Sequence, residues 1–195
     1  MRLSATSLLI LFAVGAACGL VGDAAAVNSD TTRYLDTGGV PFVWESPIFF
    51  PAMVGLATAS IGELRLHLGP ARPGDAREGL AALASVLAIY LLTSILSDEA
   101  TIASMALIVC LAALVVVRFG DGRPAIICAA VAAVAGPLVE IVESEAGIFE
   151  YAENVDDLFG VAPWLVPLYF AFGVVCARLG EILSGPPRGK SARSR

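Results

Sequence analysis

The strongest constraint on this 195-residue chain is a succession of apolar runs, each ended by charge, proline or glycine. A hydrocarbon core about 30 Å thick is crossed by roughly 20 apolar residues in helical form. Six runs approach that length: 3–27, 47–66, 79–97, 101–117, 124–142 and 163–183. Pro47, Pro124 and Pro163 open three of them, where a missing backbone N–H costs least. With 57% of residues hydrophobic and only 15% charged, most of the chain cannot face water, which excludes a disordered chain, a disulfide scaffold or a nucleic-acid binder. The expected fold is an all-α integral membrane protein of six transmembrane helices. A membrane domain over 1–185 is followed by a basic, disordered tail over 186–195.

Orientation follows from Lys and Arg near the helix ends, which are retained on the cytoplasmic side during insertion. Of the 12 basic residues, every one except Arg33 falls at the start, around the second and fourth connections, or at the end of the chain. Both termini are therefore expected to be cytoplasmic, as an even number of spans also requires. Cleavage of the first run as a signal peptide at Ala24-Ala25-Ala26 is the rival reading; it would leave five spans and break that agreement. The opposite face collects Asp30, Asp36, Glu45, Asp98, Glu99, Glu143, Glu145, Glu150, Glu153, Asp156 and Asp157, and reads as a solvated acidic rim.

The chain offers little of the usual apparatus of catalysis. A single histidine, His67, excludes a histidine-based zinc centre. No nucleophile elbow, P-loop or dinucleotide fingerprint occurs, so neither a cofactor nor a metal is expected. Cys18, Cys110, Cys128 and Cys176 lie inside apolar runs and read as packing residues. Glu140 stands out, because a carboxylate at membrane depth must find a donor or stay protonated. Glu143, three residues on, shares its helix face. Together they leave open a proton relay, a cation site or an acid/base pair. Glu63 with Arg65, and Glu181 with Arg178, are expected to pair locally and mark the cytoplasmic boundary.

Aromatic residues gather near the expected outer ends of the second, fifth and sixth runs, partly as an interfacial belt. Within them, Gly147, Phe149, Tyr151, Asp157, Phe159, Trp164, Leu165, Phe170, Gly173 and Gly180 resemble a pattern of the insulin-induced gene (Insig) proteins. In that pattern Gly-x-Tyr-x-Tyr is followed by an acidic residue, Phe, and Trp-Leu-Pro leading into a small-residue helix. The proline falls one residue late, at Pro167. The second run resembles the same family through Pro51, Gly55, Ala57, Ala59, Ile61 and Gly62, with Phe49 at an aromatic position and Ile48 where the family prefers Trp.

The resemblance implies a six-span lipid sensor or scaffold without catalysis, assembled as a homo-oligomer such as a trimer. It implies a bilayer-accessible cavity for a sterol-like or diacylglycerol-like lipid, lined by Phe49, Phe50, Met53, Tyr90, Ser94, Glu140, Phe149, Tyr151 and Trp164. Asp121 approximates, one residue out of register, an acidic residue the family uses in partner binding. Eukaryotic members reside in the endoplasmic reticulum; a bacterial member would reside in the plasma membrane, where a glycerolipid with one free hydroxyl is the more natural ligand. Two alternatives stay open: an isoprenoid-cyclase-like enzyme using Glu140 of Pro137-Leu-Val-Glu140, and a small transporter or proton channel built on the same carboxylate.

Overall fold

The computed structural model describes residues 2–96 and 101–185. The expected tail over 186–195, and Asp98 and Glu99 of the acidic rim, lie outside the described residues. Among the described residues six helices form: α1 (Ala5–Asn28), α2 (Phe49–His67), α3 (Ala76–Ile95), α4 (Thr101–Phe119), α5 (Gly122–Glu145) and α6 (Leu165–Ser184). Five of them are long and apolar enough to cross a membrane, which makes this an integral membrane protein; α2, which carries Glu63, Arg65 and His67 toward its end, is the exception.

Local chemistry accounts for the helix ends. The Ser4 hydroxyl accepts the Ser7 N–H at the start of α1, and the Asp75 carboxylate accepts the Glu78 N–H at the start of α3, each satisfying a donor the helix leaves unpaired. Asp121 precedes α5 without capping it, because its carboxylate faces Arg65 instead, 3.6 Å away.

The helices pack around α6, the most enclosed of the candidate spans. Small residues permit this. A β-carbon on Gly173 would stand 2.6 Å from the Ala129 α-carbon of α5, and one on Gly180 would collide with the backbone of Gly62 in α2. Such close backbone approach is how membrane helices gain dispersion contacts where burial from water is not available as a driving force. Ala82, Val86, Ile108, Val115, Trp164, Ala171 and Val174 fill the main core between α3, α4 and α6.

At the end of the bundle opposite the α2–α3 connection, two short strand pairs order the long loops. Strand β1 (Thr32–Tyr34) runs antiparallel to β4 (Phe149–Tyr151), while β2 (Phe42–Val43) pairs with β3 (Ser46–Pro47). Gly147, with φ of 71°, turns the chain out of α5 and into β4. The period of two then decides which side chains enter the bundle. Thr32, Tyr34, Phe149 and Tyr151 line an internal cavity, and Arg33 pairs with Glu150 on the exposed side.

At the other end, the local pairing expected of the charged residues is only half of what forms. Arg178 does pair with Glu181, at 2.7 Å, but also with Glu78 of α3 at 2.6 Å, and it donates to the carbonyls of Arg72 and Pro73. Arg65 reaches past its own helix to Glu181 and donates to the carbonyls of Gly69 and Pro70. Glu63 instead accepts the Leu3 N–H. The correction has a physical cause: Arg65, Arg178 and Glu181 are almost fully buried, and a buried charge must be saturated with partners rather than left to snorkel.

Candidate functional site

Three adjoining cavities run through the bundle, with Phe50 and Glu140 in the wall of each. The first, a small space of about 20 Å³, lies beneath the β1–β4 pair and is lined by Asp23, Tyr34, Tyr90, Thr93, Phe149, Tyr151 and Trp164 among others. The second, about 60 Å³, is almost wholly apolar and runs between Cys18, Gly19, Val54, Val86, Leu168 and Phe172. The third, about 280 Å³, opens between α2 and α5 along Met53, Leu56, Ala57, Gly136 and Val139. Leu56 and Val139 at that opening are exposed. The arrangement is an apolar slot with a polar inner end, the composition of a site for an amphiphile.

Glu140 is buried, and Pro137, inside α5, lies about one turn before it. Its two oxygens accept separate phenols, Oε2 from Tyr151 at 2.6 Å and Oε1 from Tyr169. Tyr151 arrives on β4 and Tyr169 on α6, so three elements converge on one carboxylate. Burial, and then the nearby Glu140 charge, push the Tyr151 phenol well above its ordinary pKa, so it stays a donor. Across the first cavity, Asp23 of α1 accepts Tyr34 at 2.9 Å and also Ser46. The Tyr34 phenol is likewise raised, by burial and then by Asp23. Neither carboxylate forms a salt bridge with a described residue.

Of the residues named from sequence, Phe50, Tyr90, Glu140, Phe149, Tyr151 and Trp164 line the first cavity, and Met53 lines the third. Phe49 opens α2 without lining any of the three, and Ser94 is buried on α3 outside them, where Thr93 takes the cavity position. Asp121 lies apart from the site, beside Arg65. The spacing argument that joined Glu143 to Glu140 places it in the wall of the opening, but the hydroxyl bonds converge on Glu140 alone. Asp23, Tyr34, Thr32 and Tyr169 were missed. Asp23 carried a readable signal, a solitary acid inside an apolar run, which at membrane depth is costly unless used. The others carried none, since loop strands and a sixth-helix tyrosine acquire meaning only when folded against it. Among the described residues, no group of three or more His, Cys, Asp or Glu side chains could hold a metal.

Fold and site together define a helical membrane protein with mainly apolar cavities between its helices. No protein-family model matches the chain, but a curated relative does: an INSIG protein homolog of Mycolicibacterium vanbaalenii, 47% identical over 183 residues that cover 93% of this chain and 89% of the relative. The chain belongs to the Insig family. Its fold is similar to the crystal structure of a mycobacterial Insig homolog, MvINS from Mycobacterium vanbaalenii, with a TM-score of 0.91 at 47% identity, covering 94% of this chain and 96% of that one. A cross-linked R77C trimer of MvINS superposes with a TM-score of 0.89 at 46% identity, covering 93% and 95%.

Proposed function

We propose that this protein holds a single lipid in the cavity between its helices, with an acyl chain in the apolar slot and a free hydroxyl at the Glu140 end, and acts as a lipid sensor or scaffold rather than a catalyst. The observation that carries this reading is that three neighbouring cavities, from a hydroxyl-rich inner end to an opening between α2 and α5, share Phe50 and Glu140 in their walls. An apolar lining with a few convergent polar groups binds amphiphiles by shape and orients them by hydrogen bonds. A diacylglycerol-like glycerolipid satisfies both demands. In this reading α2 is the sixth span, both termini are cytoplasmic, the membrane is a bacterial plasma membrane, and the protein assembles as a trimer like the cross-linked MvINS structure.

Native mass spectrometry of detergent-purified protein, followed by lipid extraction, tests the reading. One neutral lipid per chain, lost on Phe50→Trp or Tyr151→Phe, is the expected result. Bulk phospholipid released in proportion to detergent would overturn it.

A further inference from the structure

The β2–β3 hairpin places a tryptophan where such a turn ordinarily places glycine. Phe42 pairs with Pro47 and Val43 with Ser46, which leaves Trp44 and Glu45 as a two-residue turn. Trp44 adopts a φ of 54°, the left-handed conformation that two-residue hairpin turns give to glycine or asparagine and that a bulky side chain takes only at a cost. The residue is nevertheless 68% exposed. Phe42, Val43 and Ile48 are exposed beside it, and no charged residue lies between Asp36 and Glu45. Ser46 and Pro47 are buried against the bundle. The hairpin thus has an inward face on the protein and an outward face of apolar side chains.

Its depth says what covers the outward face. The Ser46 hydroxyl donates to Asp23 of α1, as does the Tyr34 phenol, and the Tyr34 ring meets Phe42 edge-on with centroids 5.7 Å apart. Asp23 lies five residues before the end of α1 at Asn28, about 7 Å short of it at 1.5 Å per residue. The 24 residues of α1 measure about 36 Å, roughly 6 Å more than a hydrocarbon core. Wherever that excess falls, Asp23 stays within the hydrocarbon thickness, and the hairpin tied to it is held at the membrane boundary rather than out in water. A second exposed aromatic provides the contrast. Phe159 is 77% exposed with a φ of 53°, but it follows Asp156 and Asp157, and the carbonyl of Gly160 accepts the Ser144 hydroxyl one residue before the end of α5. That turn stands at a helix end among acids, on the water side.

We infer that the β2–β3 hairpin is a membrane anchor, seating Trp44 with Phe42 and Val43 in the head-group and upper acyl layer of the leaflet at the strand end of the bundle. An indole there buries its apolar body and keeps its N–H within reach of head-group oxygens. The backbone bonds that close the hairpin, including Ile48 N–H to the Pro41 carbonyl, meet the demand that lipid makes on non-helical chain. The inference goes beyond the lipid-binding reading and does not depend on what the cavities hold.

Tryptophan fluorescence in lipid nanodiscs, where both faces of the membrane meet the buffer, tests it. The chain has two tryptophans, and Trp164 is buried, so the difference between wild type and Trp44→Phe isolates Trp44 by a substitution at an exposed position. Phe159→Trp in the Trp44→Phe background supplies the water-side reference. Nanodiscs carry phosphatidylcholine with a nitroxide either near the glycerol backbone or at the end of the acyl chain, and iodide is the aqueous quencher. The Trp44 signal is expected to be quenched at least about twofold more by the shallow nitroxide than by the deep one, and by iodide less than about half as efficiently as a tryptophan at 159. Equal iodide access at the two positions, or strongest quenching by the deep nitroxide, overturns the inference. Protection of Trp44 from iodide and from both nitroxides would show the face covered by protein, a second copy of the chain included, and overturns it as well.

Discussion

The two ends of the bundle solve the same problem in opposite ways. At the α2–α3 end, Glu181 and Glu78 are met by the guanidinium groups of Arg65 and Arg178, whose terminal nitrogens also donate to backbone carbonyls of the connection between 69 and 73, the buried Arg65 Nε having no partner among the described residues. At the other end, Asp23 and Glu140 are buried, as Glu181 is, but are met by hydroxyl groups alone. A guanidinium carries five donors in a rigid fork and cancels charge; a hydroxyl carries one donor and no charge. The first arrangement cancels the charge of its members and locks a loop to two helices. The second leaves acceptor capacity facing a cavity.

Breaking the arginine-paired end should have the largest effect. Arg178→Met removes the partner of two carboxylates and two carbonyls, and is expected to destabilise by about 3–5 kcal/mol, read as loss of the monodisperse peak or a steep fall in Tm in detergent. Restoring the phenotype by also replacing Glu78 and Glu181 with apolar residues would sharpen the case that unpaired charge, not lost packing, is the cause. Next comes Gly180→Val, which intrudes on the Gly62 backbone and should cost about 1–3 kcal/mol by forcing α2 and α6 apart.

At the hydroxyl-lined end, Glu140→Gln preserves shape and acceptor capacity toward one phenol. A stability change of about 1 kcal/mol or less is expected, with a larger change in retained lipid, so thermal melts and extracted lipid per chain should diverge. If both fell together, the contrast between a locking end and a binding end would collapse. The smallest effect is in pH. The folded-state pKa of Tyr34 is raised above its unfolded value, so the stability this contributes is complete below about pH 10 and is lost as pH rises beyond it. Melting temperature should therefore show no Tyr34-dependent change between pH 7 and 9, and the extra decline above pH 10 should be absent in Tyr34→Phe.

Much of the helical framework was legible because bilayer thickness and hydrogen-bond closure leave an apolar run few alternatives to helix. The six expected runs and the six helices coincide to within a few residues, and the family resemblance carried by Gly147 to Gly180 is confirmed by a relative 47% identical over nearly the whole chain. The site was legible where one residue type was anomalous for its surroundings, as at Glu140 among apolar neighbours. It was illegible where meaning depends on partners distant in sequence. Asp23 and Ser46, or Arg178 and Glu78, are separated by 23 and 100 residues and meet only after packing.

Sequence alone thus determined that this chain enters a membrane, roughly where its helices run, and which family it belongs to, because those properties follow from local apolarity and from motif residues read in order. Tertiary structure alone decided which carboxylates are neutralised by arginine and which face a cavity. That choice is set by where Gly173 and Gly180 let helices touch and by the β1–β4 register that turns Thr32, Tyr34, Phe149 and Tyr151 inward. Burial then makes each pairing matter, since a charge or hydroxyl removed from water keeps only the partners that the fold brings to it.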